Sequence, residues 1–237
     1  MNYARLLADG VGSWLQYERA CGHSGLFSEK YLAQPVGHIL SGRSGNRTLP
    51  EYTHSTLASH TRRTGRRPAI DFAVCDPYPS VAIGVESKWI GSTTPSAESI
   101  AWDLIRLELL AHHEQASCYF LLGGKRRDLE RLFGSAGFWN VTNDRQRKPL
   151  LRHDAPGQHS ITIGPIDRAR IPILEDEFEN YSDLLFPSRI VTHRSQPFPK
   201  DATKDGYQVY VWQIRSAQPR TTFLGGRMKQ YFPRKRS

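Results

Sequence analysis

Asp71, Glu86 and Lys88 are the residues of this 237-residue chain with the clearest capacity for chemistry. An acid follows Pro68-Ala69-Ile70, and after fourteen further residues comes the run Glu86-Ser87-Lys88. Two carboxylates facing each other across a hairpin repel unless a cation lies between them. Mg²⁺ suits such a pair, because it takes oxygen ligands at roughly 2.0–2.1 Å and keeps several waters. A metal held there would polarise a phosphate and lower the pKa of a bound water. An ammonium beside it would orient that water or offset the charge growing on phosphorus. The chemistry expected is hydrolysis of a phosphodiester, with the Ser87 carbonyl turned toward the metal. The competing reading is a solvated hairpin face carrying a salt-bridge ladder, which is worth little energetically. The strongly apolar flanks of both acids disfavour it.

The elements that must position these residues are legible in pattern. Ala69–Cys75 and Val81–Trp89 read as two strands, the second rich in β-branched residues, joined by the Asp76–Ser80 turn. Within a strand, side chains alternate, so Glu86 and Lys88 share a face. Before the hairpin, Ser13-Trp14-Leu15-Gln16 fits a capping box that opens a short helix to Cys21. A second helix begins near Ser28, with Leu32, Val36, Ile39 and Leu40 on one face. Pro35 implies a late start or a bent first turn. A strand is expected near Tyr52–Ser59. After the hairpin, Ser96–His113 carries a stripe of Ile100, Leu104, Leu107 and Leu110 or Ala111. Ser117–Leu122 reads as a buried strand and Lys125–Gly134 as a basic helix. Further on come a strand at Ser160–Ile163, a helix at Glu175–Asp183 and a strand at Tyr207–Arg215. The order is that of an α/β fold with a mixed sheet.

Pro68-Ala69-Ile70-Asp71 with Glu86-Ser87-Lys88 resembles the PD-(D/E)xK nuclease superfamily. The resemblance covers roughly residues 14–123. It implies a restriction-endonuclease-like core, a mixed central sheet flanked by helices, spanning residues 1–140. Residues 141–237 would add a C-terminal α+β extension, packed on the core or apart from it. It also implies Mg²⁺-dependent cleavage of DNA, with Mn²⁺ as a substitute and RNA the lesser expectation. By this likeness Asp71 and Glu86 would bind metal with Ser87, and Lys88 would assist catalysis. Many members add a glutamate from the first core helix. Glu29 is the preferred candidate and Glu18 the reserve. Arg106, and less so Trp102, lie where the family often places an accessory polar group. Two residues, not none, separate Pro68 from Asp71.

Composition agrees with a polyanionic partner. The formal charge is +9, from 32 Lys and Arg against 23 Asp and Glu. Arg62, Arg63, Arg66 and Arg67 precede the hairpin, and Lys125, Arg126 and Arg127 follow the fourth strand, where they would hold phosphates. The tail mixes cations with Tyr231 and Phe232, which would suit stacking on unpaired bases. The three cysteines are widely spaced and indicate neither a zinc site nor a disulfide framework. No secretory start or membrane span is evident, so a cytoplasmic setting is expected. No P-loop, dinucleotide fingerprint, HExxH or G-x-S-x-G pattern occurs. The expectation is an endonuclease of restriction or defence, acting as a homodimer if it makes double-strand breaks. The alternative is a nuclease-like fold that binds nucleic acid without cutting it.

Overall fold

Asn2, not Ser13, opens the first helix. In the computed structural model α1 spans Tyr3–Ala20, and the Asn2 carboxamide accepts from the Arg5 amide at 3.1 Å. Ser13 therefore sits inside a continuous helix. Leu7, Val11 and Leu15 recur every fourth residue and are fully buried, which outweighs a local capping signal. The structure describes all residues except 1, 62, 63, 66, 92–94, 142–146, 164–170 and 228–237.

Helix α2 (Glu29–Ser44) begins where the sequence indicates, with the Ser28 hydroxyl accepting from the Tyr31 amide at 3.2 Å. Pro35 lies in its interior rather than at a late start, so one turn gives up a hydrogen bond. The strand expected at Tyr52–Ser59 is corrected: β1 is Thr48–Thr53, and a short helix α3 (Ser55–His60) follows it. The His54 ring accepts from the Leu57 amide and caps that helix. Then come β2 (Ala69–Cys75), β3 (Val81–Ile90), α4 (Ala97–His113), β4 (Ser117–Lys125) and α5 (Arg126–Gly134). The rest comprises a small pair β5 (Trp139–Val141) and β6 (Arg147–Pro149), then β7 (Gly157–Thr162) and α6 (Ile171–Asn180). After these come β8 (Leu185–Pro187), β9 (Arg189–Arg194), β10 (Tyr207–Ser216) and β11 (Thr222–Leu224).

Seven strands form one sheet in the order β1-β2-β3-β4-β10-β9-β7. Only β3 and β4 run parallel; the other neighbours are antiparallel. The sheet is mixed and helices flank it. Helices α1 and α2 cover one face, where Leu7, Leu15, Leu32 and Val36 meet Phe72, Val85, Leu121 and Val209. Helix α4 covers the other, with Ile100, Leu104 and Leu107 among Ala73, Cys118, Phe120 and Trp212. Strands β10, β9 and β7, all beyond residue 141, continue this same sheet. Among the described residues no helix is long and apolar enough to cross a membrane.

Candidate active site

The β2–β3 hairpin and the middle of α4 bring a cluster of charges together where the ladder between these two interior strands ends. The ladder between β2 and β3 includes Phe72 opposite Val85. One step further in that register puts Asp71 opposite Glu86. Asp71 Oδ2 accepts from the Ser87 amide at 2.7 Å and from the Ser87 hydroxyl at 2.8 Å. The carboxylate thus stands in for a backbone partner as the ladder ends. Ser87 therefore engages Asp71 through its amide and hydroxyl.

Glu86 leaves β3 on the face covered by α4 and is 1% exposed. Its Oε1 lies 2.8 Å from Arg106 Nη2. Arg106 also donates to the Ala69 carbonyl at 2.6 Å and to Asp103 Oδ1. Lys88 Nζ is 3.3 Å from Asp103 Oδ2 and 3.3 Å from Glu29 Oε1. Among the described residues the cluster holds four carboxylates (Glu29, Asp71, Glu86, Asp103) against two cations. The cations do not fully satisfy it: buried Glu86 Oε1, Asp103 Oδ2 and Arg106 Nε receive or make no aligned hydrogen bond.

Burial pushes the Glu86 carboxyl well above the usual carboxylate range. Arg106 opposes that rise, and the charges of Asp103 and Asp71 add to it. Burial opposes the charge on Lys88, but Asp103, Glu29, Glu86 and Asp71 outweigh it and hold the ammonium above its ordinary value. Lys88 is therefore a firm cation at neutral pH, able to donate but not to act as a base.

Hard oxygen donors in excess over cations fit a divalent ion. Among the described residues no three acidic, His or Cys side chains already converge as a cage. Mg²⁺ does not need one, since it is commonly held by one or two carboxylates plus water and substrate phosphate. Asp71 and Glu86 meet that requirement in number. Glu86 could serve only by sharing or exchanging its Arg106 contact.

Glu29 joins the cluster through Lys88. The reserve glutamate, Glu18, instead holds His23 Nδ1 at 2.7 Å and the Tyr31 hydroxyl at 2.8 Å. Arg106 stands at the centre of the cluster, whereas Trp102 packs into the core, stacked on Tyr181 with centroids 5.6 Å apart. Asp103 is the residue that sequence reasoning missed. It is 2% exposed and lies on the same stripe as Ile100, Leu104 and Leu107, three residues before Arg106. An acid on an otherwise apolar helical stripe was the available signal.

Of the expected phosphate contacts, Arg62, Arg63 and Arg66 lie outside the described residues, as do Tyr231 and Phe232. Arg67 is exposed. Arg126 is held by Glu130 at 2.9 Å and by the Ala202 carbonyl at 2.7 Å. Arg127 pairs with Asp205 at 2.7 Å. Lys125 Nζ lies 5.9 Å from the Tyr207 ring centroid. Compared with known proteins, the chain matches no family model, no curated protein and no solved structure.

Proposed function

We propose that this protein is a metal-dependent nuclease of the PD-(D/E)xK type, with a restriction-endonuclease-like core and DNA as its substrate. The observation that carries the reading is the placement of Asp71, Glu86 and Lys88 where the β2–β3 ladder ends, within a cluster whose carboxylates, among the described residues, outnumber its cations. Asp71 and Glu86 would hold Mg²⁺, with Glu29 or Asp103 reaching it through water. When bound, the metal would polarise the scissile phosphate and acidify a water. Lys88 donates toward the attacking water or the phosphate oxygens. Asp103 and Glu29 keep that ammonium charged and aimed, and Ser87 fixes the Asp71 carboxylate. Arg106 partly offsets the burial that favours the neutral acid at Glu86, and a bound cation would favour the ionised form further. The +9 charge supports a polyanionic substrate.

A specific observation supports a second reading. Glu86 is almost wholly buried and already lies 2.8 Å from Arg106, as in a structural ion network. On that reading the protein binds nucleic acid without cutting it.

Supercoiled plasmid incubated with Mg²⁺ separates the two. The wild-type protein should nick or linearise it, EDTA should abolish the reaction, and Lys88→Ala should slow it by about 10²–10³-fold. Cutting by neither protein would leave the binding-only reading standing, and equal cutting by both would refute the assignment of catalysis to this site.

A further inference from the structure

Beside the charge cluster lies a groove of about 540 Å³, lined by Phe27, Ser28, Trp89, Lys125, Arg131 and Tyr207 among others. It opens at the carboxyl ends of the parallel strands β3 and β4, where α/β sheets commonly hold their ligands. Ser28 precedes Glu29 and Trp89 follows Lys88, so the groove and the candidate active site share two chain segments. Trp89 faces the side covered by α1 and α2 and Lys88 the side toward α4, and a strand would join them around the end of the sheet. We infer that this groove holds an unpaired stretch of the DNA strand, stacking its bases on the aromatic rings and delivering the backbone to Lys88. The inference rests on the nuclease reading for its substrate.

Three features carry it. The first is a run of aromatic rings. Phe27 meets Trp89 edge-on at 5.7 Å and Tyr207 edge-on at 4.7 Å, while Trp89 and Tyr207 lie 5.7 Å apart and tilted by 33°. Tyr207 is 4% exposed and backs the other two, which leaves the half-buried Phe27 and Trp89 rings to offer faces to bases not already stacked in a duplex. The second is support beneath the indole. A Cβ at Gly123 would stand 3.4 Å from Trp89 Cε3, and one at Gly124 would stand 2.6 Å from the Ile90 carbonyl. Gly123 lies beside Trp89 in the parallel β3–β4 pairing, so the indole rests on bare backbone there, while Gly124 is the position where a side chain would clash with β3. The third is charge. Lys125, Arg127 and Arg131 line the groove against one acid, Asp128. Aromatic faces with a cationic rim are the combination that tracks a single strand. The volume suits a nucleotide-sized group.

The test measures binding in EDTA, so that it reads the groove independently of catalysis. Fluorescence anisotropy would compare a labelled oligo-dT strand of about a dozen nucleotides with a duplex of equal length. The single strand should bind more tightly. Trp89→Leu should weaken it by roughly ten- to a hundredfold, with Trp89→Phe close to wild type and duplex binding little changed. Because Trp89 also packs on β4, Arg131→Ala at the exposed rim gives a second reading. It should weaken the single strand and reduce the log–log salt slope by about 0.7. A duplex bound as tightly as the single strand, or single-strand affinity untouched by Trp89→Leu and Arg131→Ala alike, would overturn the inference. Single-strand binding that depends on Trp89 in a protein unable to cut DNA would retire the nuclease reading and leave the groove. Cutting that is indifferent to Trp89 and Arg131 would do the reverse.

Discussion

Helix α4 carries two buried acids that lead opposite lives. Glu108, at 0% exposure, accepts from the Ser216 hydroxyl at 2.7 Å and from Arg220 through Nε at 2.9 Å and Nη2 at 3.1 Å. One acid meets one fork, and both carboxylate oxygens are engaged. Around Asp103, one and a half turns earlier on the same helix, four acids share two cations among the described residues, and buried oxygens lack aligned donors there. The first arrangement closes on itself and ties the segment after β10 to α4. The second leaves negative charge over. Buried polar groups are normally satisfied, so an unsatisfied set, when the other buried acids among the described residues have partners, marks a place kept for something besides stability.

The largest difference should appear when each acid is neutralised or removed. Glu108→Ala strands the Arg220 guanidinium in a buried site and should cost about 3–5 kcal/mol. Glu86→Gln removes a charge that its own surroundings disfavour, and should cost far less, at most about 1 kcal/mol. Urea denaturation of the two variants gives the comparison directly. Equal losses would mean that both clusters are structural.

How much of this was legible beforehand follows from the range of the interactions involved. The β2–β3 hairpin and α4 were readable because their signals are local: β-branched runs, a turn, and an apolar stripe. So were Asp71, Glu86 and Lys88, as charges in apolar strands. Asp103 was hidden because its partners Lys88 and Arg106 come from a strand and from its own helix, and only packing brings all three together. The Glu108–Arg220 pair spans 112 positions, which no local pattern reveals. Strand β9 went unseen because its six residues mix charged and apolar types, and it owes its place to β10 and β7 on either side. The Ser13 capping signal misled because local chemistry yielded to the longer apolar face of α1.

His54 offers a way to load one cluster and not the other. It is buried, its Nδ1 accepts from the Leu57 amide, and its Nε2–H donates to the Arg106 carbonyl at 2.9 Å. That pattern needs the neutral ring. Burial, with the nearby Arg106 charge, lowers its pKa from 6.5 to about 4. Because the folded pKa is depressed, its contribution to stability is complete above about 6.5 and is lost as pH falls toward about 4. The full loss is on the order of 3 kcal/mol. Urea midpoints taken at falling pH should drop more steeply for wild type than for His54→Gln, which keeps a donor and an acceptor but cannot titrate in this range. Parallel pH profiles would mean that the ring is protonated in the fold without penalty.

The smallest effect is the most discriminating. If the excess carboxylates are kept for a cation, Mg²⁺ should stabilise the folded protein, by about 2.7 kcal/mol at a hundred times its dissociation constant. Asp71→Asn should lose that response, and Glu108→Gln, at the closed cluster, should keep it. In metal-free buffer Asp103→Asn relieves like-charge repulsion but loosens the hold on Lys88 and Arg106. These effects oppose each other, so its stability should lie within about 1 kcal/mol of wild type. Thermal melts with Mg²⁺ and with EDTA, run on the three variants side by side, measure both quantities. A shift equal in all of them would place any bound Mg²⁺ elsewhere. No shift even in wild type would leave the open cluster as an ion network like its neighbour, only less well satisfied.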